Sequence, residues 1–533
     1  MTKNDFHFPA IGYASATLAP RWSVLRTTLW VLLVLFWAAY GVCVAYFLIV
    51  NLIADPHKLS ITGKIPDTAT QIEALEMRMS KSSLIALLVV AIACFAMRWL
   101  RRTDIRQLYP VRYAAFGLLF AIPLGLVLSL ATPIEYVRDY GVYLKLGQSL
   151  YATGDYSDIS EGNVSGGPAD TLAWRPPGMA LLYGLPIHFG LPMQASVWVI
   201  NSLIAIILFA FVRLSTNSRK SEGPLYMVAG LGAIVCFTTV PFLLLPIAHL
   251  PAIATLALLL LLVPTDSRRL VELSWSKWLL AGLLTGASAL FRANLVLQAA
   301  IFGAALLSAG KPISDRQRLI KCGSGILACA LGVVIAIGPW TLRNWYVLHR
   351  FVPISTNGGM VFYSANGSTQ PSEQGHYVNR LAVQLYKDVP DEVERDHEGW
   401  KRGFANISNH PMAFAESFLY RFPRLLAYPL YPINYIREQA RGHSLIWIFP
   451  AFETATLFAF WYVWIRMFAL RHSIRQRLFD PQQVPWPHFS LLIAVFVSLL
   501  FQNSPTFQLS FLPLILFVWF DAESVVPGAD QEG

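Results

Sequence analysis

Four polar stretches stand where a largely apolar chain leaves its hydrophobic runs, and each holds residue types suited to chemistry. In the first, Asp139 and Tyr143 lie at i and i+4, one turn apart on one face of a helix. A carboxylate there can take a proton from an attacking hydroxyl as a general base. It can equally be a solvated loop acid paired with its neighbour Arg138. In the second, TGDYSD, Asp155 and Asp158 form a carboxylate pair of the kind that holds a divalent ion. Gly154 and Asp155 also read simply as a helix stop. In the third, AWRPPG, Arg175 precedes Pro176 and Pro177. Paired prolines stiffen the approach to a helix, and Pro suits its first turn. The guanidinium can hold a phosphate bidentately or serve as an interfacial anchor.

The fourth stretch runs from GPWTLRN to NGG and NG. A helix is expected to end at Gly338-Pro339-Trp340, leaving Arg343 and Asn344 about one turn outside. Asn357, Gly358 and Gly359, and then Asn366-Gly367, suit tight turns with positive φ, where the backbone can approach a ligand closely. Arg292 in LFRANL and Glu453 in AFETATLF are the charged residues inside apolar runs. An intramembrane charge is costly and points to function by default. Arg292 sits at a hairpin turn, where its cost is small, and Glu453 can pair with another helix.

The elements that must position these groups are membrane spans. The chain of 533 residues is 55% hydrophobic and 14% charged, where soluble domains carry about a quarter charged residues. Many windows exceed about 18 apolar residues, the length that spans the hydrocarbon as a helix. The alternating pattern of a transmembrane barrel is absent. The fold class expected is therefore an all-α polytopic membrane protein. The five cysteines fall in or beside apolar runs, which argues against a disulfide framework or a CxxC metal site. The first apolar run, about 27–54, is too long for the core of a cleavable signal peptide.

Loop charge sets the orientation. Loops at 1–27, 98–112, 213–222, 266–277, 311–321 and 466–480 hold 22 basic against 7 acidic residues. Segments 55–81 and 132–178 hold 7 basic against 10 acidic. The positive-inside rule puts the first group in the cytoplasm, so the net charge of +10 reads as topology. No patterned basic face suggests nucleic acid. Spans are expected near 27–54, 82–100, 112–131, 192–213, 225–241, 249–264, 277–291, 293–309, 320–340, 444–468, 488–502 and 509–521, about twelve in all. Two large extracytoplasmic regions follow, 132–191 and 341–442. Within them 179–191 and 412–435 read as interfacial helices lying on the bilayer. Four divisions result: an N-terminal transmembrane pair (1–111), a core (112–340) that includes the first outer loop, the second outer region (341–442), and C-terminal helices with a short acidic tail (443–533).

GxxxxGK[ST], HExxH and GxSxG are missing, so ATP-driven transport and soluble-type hydrolysis lose support. Asp139 with Tyr143, Gly154-Asp155-Tyr156, Arg175-Pro176-Pro177-Gly178, the hairpin Arg292, and Pro339-Trp340-x-x-Arg343-Asn344 with Asn357-Gly358-Gly359 and Asn366-Gly367 together resemble the membrane-embedded glycosyltransferases of the GT-C class. That class includes the aminoarabinose transferases of lipid A and the protein O-mannosyltransferases. The similarity covers about 112–370 and, loosely, the last three spans. Two features depart from the family pattern. Trp174 stands where some families carry a second acid, and SPTFQLSFLP (504–513) replaces an Arg-rich stretch.

The resemblance implies a GT-C-like helical bundle. It implies transfer of a sugar from a polyprenyl-phosphate donor to a lipid, glycan or protein hydroxyl, with inversion. Asp139 is then the base. Arg138, Tyr143, Asp155, Arg175, Arg292, Arg343, Asn344, Asn357 and Asn366 bind substrate. No cofactor and no divalent ion are expected. The implied setting is a plasma membrane such as a bacterial inner membrane, with the site on the extracytoplasmic side. The rival classes are a lipid-linked glycan polymerase or ligase and, further off, a transporter or flippase. The last would show inverted repeats with broken helices in both halves, and no such pairing is visible.

Overall fold

A computed structural model of the chain describes residues 139–157, 172–216, 245–309, 316–375, 378–426, 470–479, 486–501 and 512–523. Of these, 80% are helical and none form strands. The all-α expectation holds on that scale. The number of spans is not fixed by these residues. One helix among them, Arg316–Leu348, is long and apolar enough to cross a membrane. Gly178–His188 and Met193–Leu208 would make a second span if counted together, but they are bent by 120° at their junction. That bend fits a separate short helix at 179–191. The spans expected at 27–54, 82–100, 112–131, 225–241 and 444–468 lie outside the described residues.

Helix α1 (Asp139–Thr153) ends at Gly154, whose φ of +78° only glycine adopts cheaply. Helix α2 (Gly178–His188) packs against it. A Cβ on Gly147 would stand 2.4 Å from the Ala180 carbonyl oxygen, and Gly184 meets Gly147 in return, so the two backbones touch only because neither carries a side chain there. Helices α3 (Met193–Thr216), α4 (His249–Leu262), the short α5 (Ser267–Val271), α6 (Trp275–Phe291) and α7 (Leu297–Ala309) follow. Helix α8 is the 33-residue Arg316–Leu348, about 50 Å long at the usual rise.

The closest pairing in the bundle joins α6 and α8. Gly282 and Gly286, four apart on α6, face the backbone of Cys329 and Val333, and Gly332 returns the contact against Leu279 and Leu283. Such small-residue seams let helices meet at backbone distance where dispersion must do most of the work. One apolar core runs through α1–α8 and on into α14 (Trp486–Leu500) and α15 (Leu512–Glu523). Trp278, Phe302 and Trp486 form an edge-to-face row at its centre, with ring centroids 5.9 and 5.0 Å apart. The outer face of α8 (Leu327, Leu331, Val334, Ile335) stays exposed.

The sequence reading ended the helix at Gly338-Pro339-Trp340. Instead α8 runs on to Leu348 with Pro339 inside it, so Arg343 and Asn344 are helical residues. An interior proline removes one backbone bond and usually breaks a helix. Here the turn beyond it is held from outside. Trp340 Nε1 donates to the Ile354 carbonyl (2.8 Å), Thr341 Oγ1 to that of Pro353 (2.9 Å), and Asn344 Nδ2 to that of Val352 (3.0 Å). His349, at φ +55°, turns the chain back to make these contacts.

The segment after α8 holds α9 (Gly358–Asn366), α10 (Asn379–Asp388), α11 (Glu392–Asn409) and α12 (Pro411–Leu426). Asp391 caps α11, accepting from Val393 N and Glu394 N at 3.0 and 2.8 Å. The Asn357-Gly358-Gly359 expectation is corrected here. Asn357 has φ −97° and the glycines start α9, with no positive φ. Their smallness serves packing, because a Cβ on Gly359 would stand 1.8 Å from the Asp396 carbonyl oxygen. Gly367, likewise expected at positive φ, has φ −82°. Its bareness makes room for the Tyr363 ring, 2.4 Å from where its Cβ would lie. Helix α13 (Arg471–Phe479) completes the described elements.

Candidate functional site

The site is assembled around five residues, Leu172 to Pro176, that have no regular structure of their own. Pro176 and Pro177 cannot donate to a backbone ladder, so the segment must be held by others. Leu172 N and Ala173 N donate to the two oxygens of Glu392, at 3.0 and 3.3 Å. The Leu172 carbonyl accepts from Arg343 Nη1 (2.6 Å), and the Ala173 carbonyl from Thr356 N (2.9 Å). The carbonyls of Arg175 and Pro176 both accept from the Tyr156 hydroxyl at 3.2 Å. Trp174 packs on Tyr386 of α10, with centroids 5.7 Å apart. Every link joins this segment to residues 343–392 or to the exit of α1.

This frame presents the arginines. Arg175 is buried and lies over the Tyr143 ring, its guanidinium carbon 5.3 Å from the centroid. Gly178, last residue of the RPPG motif, backs onto the end of α6, where a Cβ would stand 2.7 Å from Leu290. Arg292 follows directly, extended at φ −146° between α6 and the short 3-10 turn Ala293–Val296. Its Nη1 lies 2.7 Å from His249 Nδ1, and Tyr143 is close enough to interact with it electrostatically. Arg343 sits on α8 against a pair of rings that meet edge to face 4.8 Å apart, 4.9 Å from the Trp340 centroid and 5.7 Å from that of Tyr156. Cation–π contacts of this kind are worth about 0.5–2 kcal/mol. Nη1 of Arg343 makes both of its hydrogen bonds, to Leu172 and to Asn344 Oδ1. Nε and Nη2 make none within the described residues. Asp155 and Glu392 supply negative charge nearby.

Of the residues singled out from sequence, Tyr143, Asp155, Arg175, Arg292 and Arg343 are gathered in this one region. Asp139 opens α1 one turn before Tyr143, and its side chain lies outside what the structure describes, as do Arg138, Asp158, Glu453 and the stretch 504–511. Asp155 is exposed, and its Oδ2 accepts from Ser157 Oγ at 2.8 Å. Three asparagines turn out to hold the fold. Asn344, fully buried, clamps the chain reversal after α8. Asn357 accepts from Ser355 Oγ at 3.0 Å. Asn366 donates to the carbonyls of Phe362 and Leu500 and accepts from Arg421, which occupies both its amide hydrogens and its oxygen. No group of three or more His, Cys, Asp and Glu side chains is gathered among the described residues.

Two members of the site escaped sequence reasoning. His249 is a lone histidine opening an apolar helix, and a polar residue in an apolar run is a signal that could have been followed. Glu392 stands in PDEVERDHE, where it reads as an ordinary first-turn acid. Nothing local marks it as buried against a segment 219 residues earlier. No protein-family model matches the chain, and neither a curated protein nor a solved structure matches it. The functional reading therefore stands on residue chemistry and geometry.

Proposed function

We propose that the protein is a membrane-embedded glycosyltransferase that moves a sugar from a polyprenyl-phosphate donor to a hydroxyl acceptor at the extracytoplasmic face. The observation that carries this reading is Arg343. Its guanidinium is held against the Trp340 and Tyr156 rings, with two donor nitrogens uncommitted among the described residues and Arg175 presented by the same frame. Prepositioned guanidinium donors suit a phosphate whose charge grows as it leaves. Arg343 also lies near one end of the long apolar helix α8. Arg316, Arg318 and Lys321 mark the opposite end, and the exposed Trp345 and Tyr346 mark the near one. That distribution supports a place for the arginine at the depth of an outer headgroup layer, where a lipid phosphate rests.

In the proposed reaction Asp139 takes the proton of the acceptor hydroxyl. The acceptor oxygen forms a bond to the anomeric carbon as the carbon–oxygen bond to phosphate breaks. The electron pair leaves with the polyprenyl phosphate, stabilised by Arg343 and Arg175, with Arg292 behind Tyr143. Attack opposite the leaving group inverts the anomeric centre. The lipid tail of the donor would lie along the exposed apolar side of the bundle. Purified protein is to be incubated with a panel of polyprenyl-phosphate sugars and hydroxyl acceptors. Release of polyprenyl phosphate with an inverted glycoside is expected, and absence of release across the whole panel would sink the reading.

A further inference from the structure

We propose that Glu392 is a positioning residue for the phosphate-binding arginines, a role that rests on the glycosyltransferase reading above. Four observations converge on it. It is 8% exposed, far more buried than a first-turn helix acid needs to be. Its two oxygens take three hydrogens, from Leu172 N, Ala173 N and Thr356 Oγ1 (3.0 Å), and so are well satisfied by partners on other elements. The segment it grips is the one whose next residue but one is Arg175 and whose first carbonyl receives Arg343. It is also a negative charge acting directly on Arg343.

The physical consequence is a rigid bracket. Of the four backbone groups of Leu172 and Ala173, both donors end on Glu392, and the acceptors end on Arg343 and Thr356. Thr356 is itself gripped by Glu392, so one carboxylate closes the ring. A buried donor left unmade is costly, which makes the segment follow Glu392 rather than drift. Because Glu392 opens α11 under the Asp391 cap, the second outer region sets where the first presents its arginine. Glu392→Gln keeps the shape but offers one acceptor oxygen where two are used. At least one of the two amides then loses its partner, and Arg343 loses one of its two nearby negative charges. A misplacement of about 1 Å at a reacting group can cost about a hundredfold in rate.

Three readings on the full-length protein in detergent test this. Amide exchange in peptides covering Leu172 and Ala173 should be slow in the wild type and faster in Glu392→Gln. Binding of polyprenyl phosphate should weaken about tenfold or more, and turnover should fall, with Glu392→Asp recovering part of both. The midpoint of thermal unfolding should move far less than it would for loss of a core residue. If the two amides exchange equally fast in wild type and variant, the bracket does not exist and the proposal fails. If exchange quickens while lipid-phosphate binding and turnover stay at wild-type levels, the segment does not position the arginines and the proposal fails as well. Should the wild type transfer no polyprenyl-linked sugar, the glycosyltransferase reading falls by itself. Exchange and polyprenyl phosphate binding would still decide whether Glu392 positions an anion site.

Discussion

Arg343 and Arg421 are both arginines pinned by aromatic rings, yet their surroundings assign them opposite tasks. Arg421 on α12 is fully buried, near Phe414 and Phe418. Its Nε donates to Ser417 Oγ, its Nη1 to the Leu499 carbonyl (2.6 Å), and its Nη2 to Asn366 Oδ1 (2.8 Å) and the Ala365 carbonyl. These are the ends of α9 and α14, whose last carbonyls have no partner within their own helices. Arg421 is a bolt that closes two helix termini. Arg343 is half-buried, uses one nitrogen for the frame and leaves two for something else. An arginine is available to a substrate in proportion to the donors the fold does not consume.

That contrast gives its own tests, and the largest effect belongs to neither arginine. Asp139→Asn keeps size but removes the proposed base, and loss of a general base costs about a hundredfold to ten-thousandfold in rate. Turnover should fall by that much while insertion, folding and donor binding persist. Retention of more than about a tenth of wild-type turnover, well short of that loss, would move the base elsewhere, with Asp155 the next residue to test. Asp170→Asn, between the TGDYSD and AWRPPG stretches in sequence but outside every motif, is the silent control.

Arg421→Met comes next and should act on the other side of the comparison. It strands the Leu499 carbonyl and the Asn366 side-chain oxygen in a buried site and removes one of two donors to the Ala365 carbonyl. Each buried acceptor left without its donor costs about 1–3 kcal/mol, so the loss is a few kcal/mol. Denaturation in detergent should show that loss, with the donor KM of the surviving folded protein unchanged. A raised donor KM without loss of stability would make Arg421 part of the site.

Arg343→Ala removes donors that the fold barely uses. One hydrogen bond to a charged group is worth about 1.5–3 kcal/mol, so donor KM should rise about tenfold to a hundredfold with a small change in unfolding midpoint. Arg343→Lys keeps the charge, loses the planar fork, and should fall between. Equal stability losses for Arg343→Ala and Arg421→Met would erase the distinction between them.

How much of this was legible in sequence follows from what each element depends on. The spans near 192–213, 249–264, 277–291 and 488–502 match helices because apolar run length alone sets them. Arg175, Arg292, Arg343 and Tyr143 were visible as members of four motifs near apolar runs, and helix packing brings them into one region. The end of α8 was misread because Pro339 is a local signal, while the bonds that carry the helix past it come from residues 352–354. The glycines of NGG were misread for the same reason. Turn and tight helix crossing both demand glycine, and only α11 lying against α9 separates the two. Glu392 and Arg421 left no trace because burial of a polar residue is a property of distant partners.

The smallest effect concerns Asp396, which lies where those glycines cross. Its Oδ1 accepts from Gly359 N at 2.5 Å, at the first turn of α9. Burial pushes its carboxyl up from the usual 3.8, and the bonds from Gly359 and Trp400 oppose that only in part. A carboxyl whose folded pKa is raised favours the folded state fully below the unfolded pKa, and that contribution is lost as pH rises through the folded pKa. Asp396→Asn can still accept the Gly359 hydrogen and carries no charge to bury. The variant should therefore gain on the wild type in unfolding midpoint as pH rises from about 4, the ordinary carboxylate range, and the difference should level off once Asp396 is ionised. Donor KM should not follow the same curve, because this acid belongs to the packing of α9 on α11. A midpoint difference that stays flat with pH would mean the burial is relieved by solvent. A donor KM that tracks it would tie the crossing of these two helices to the arginine site.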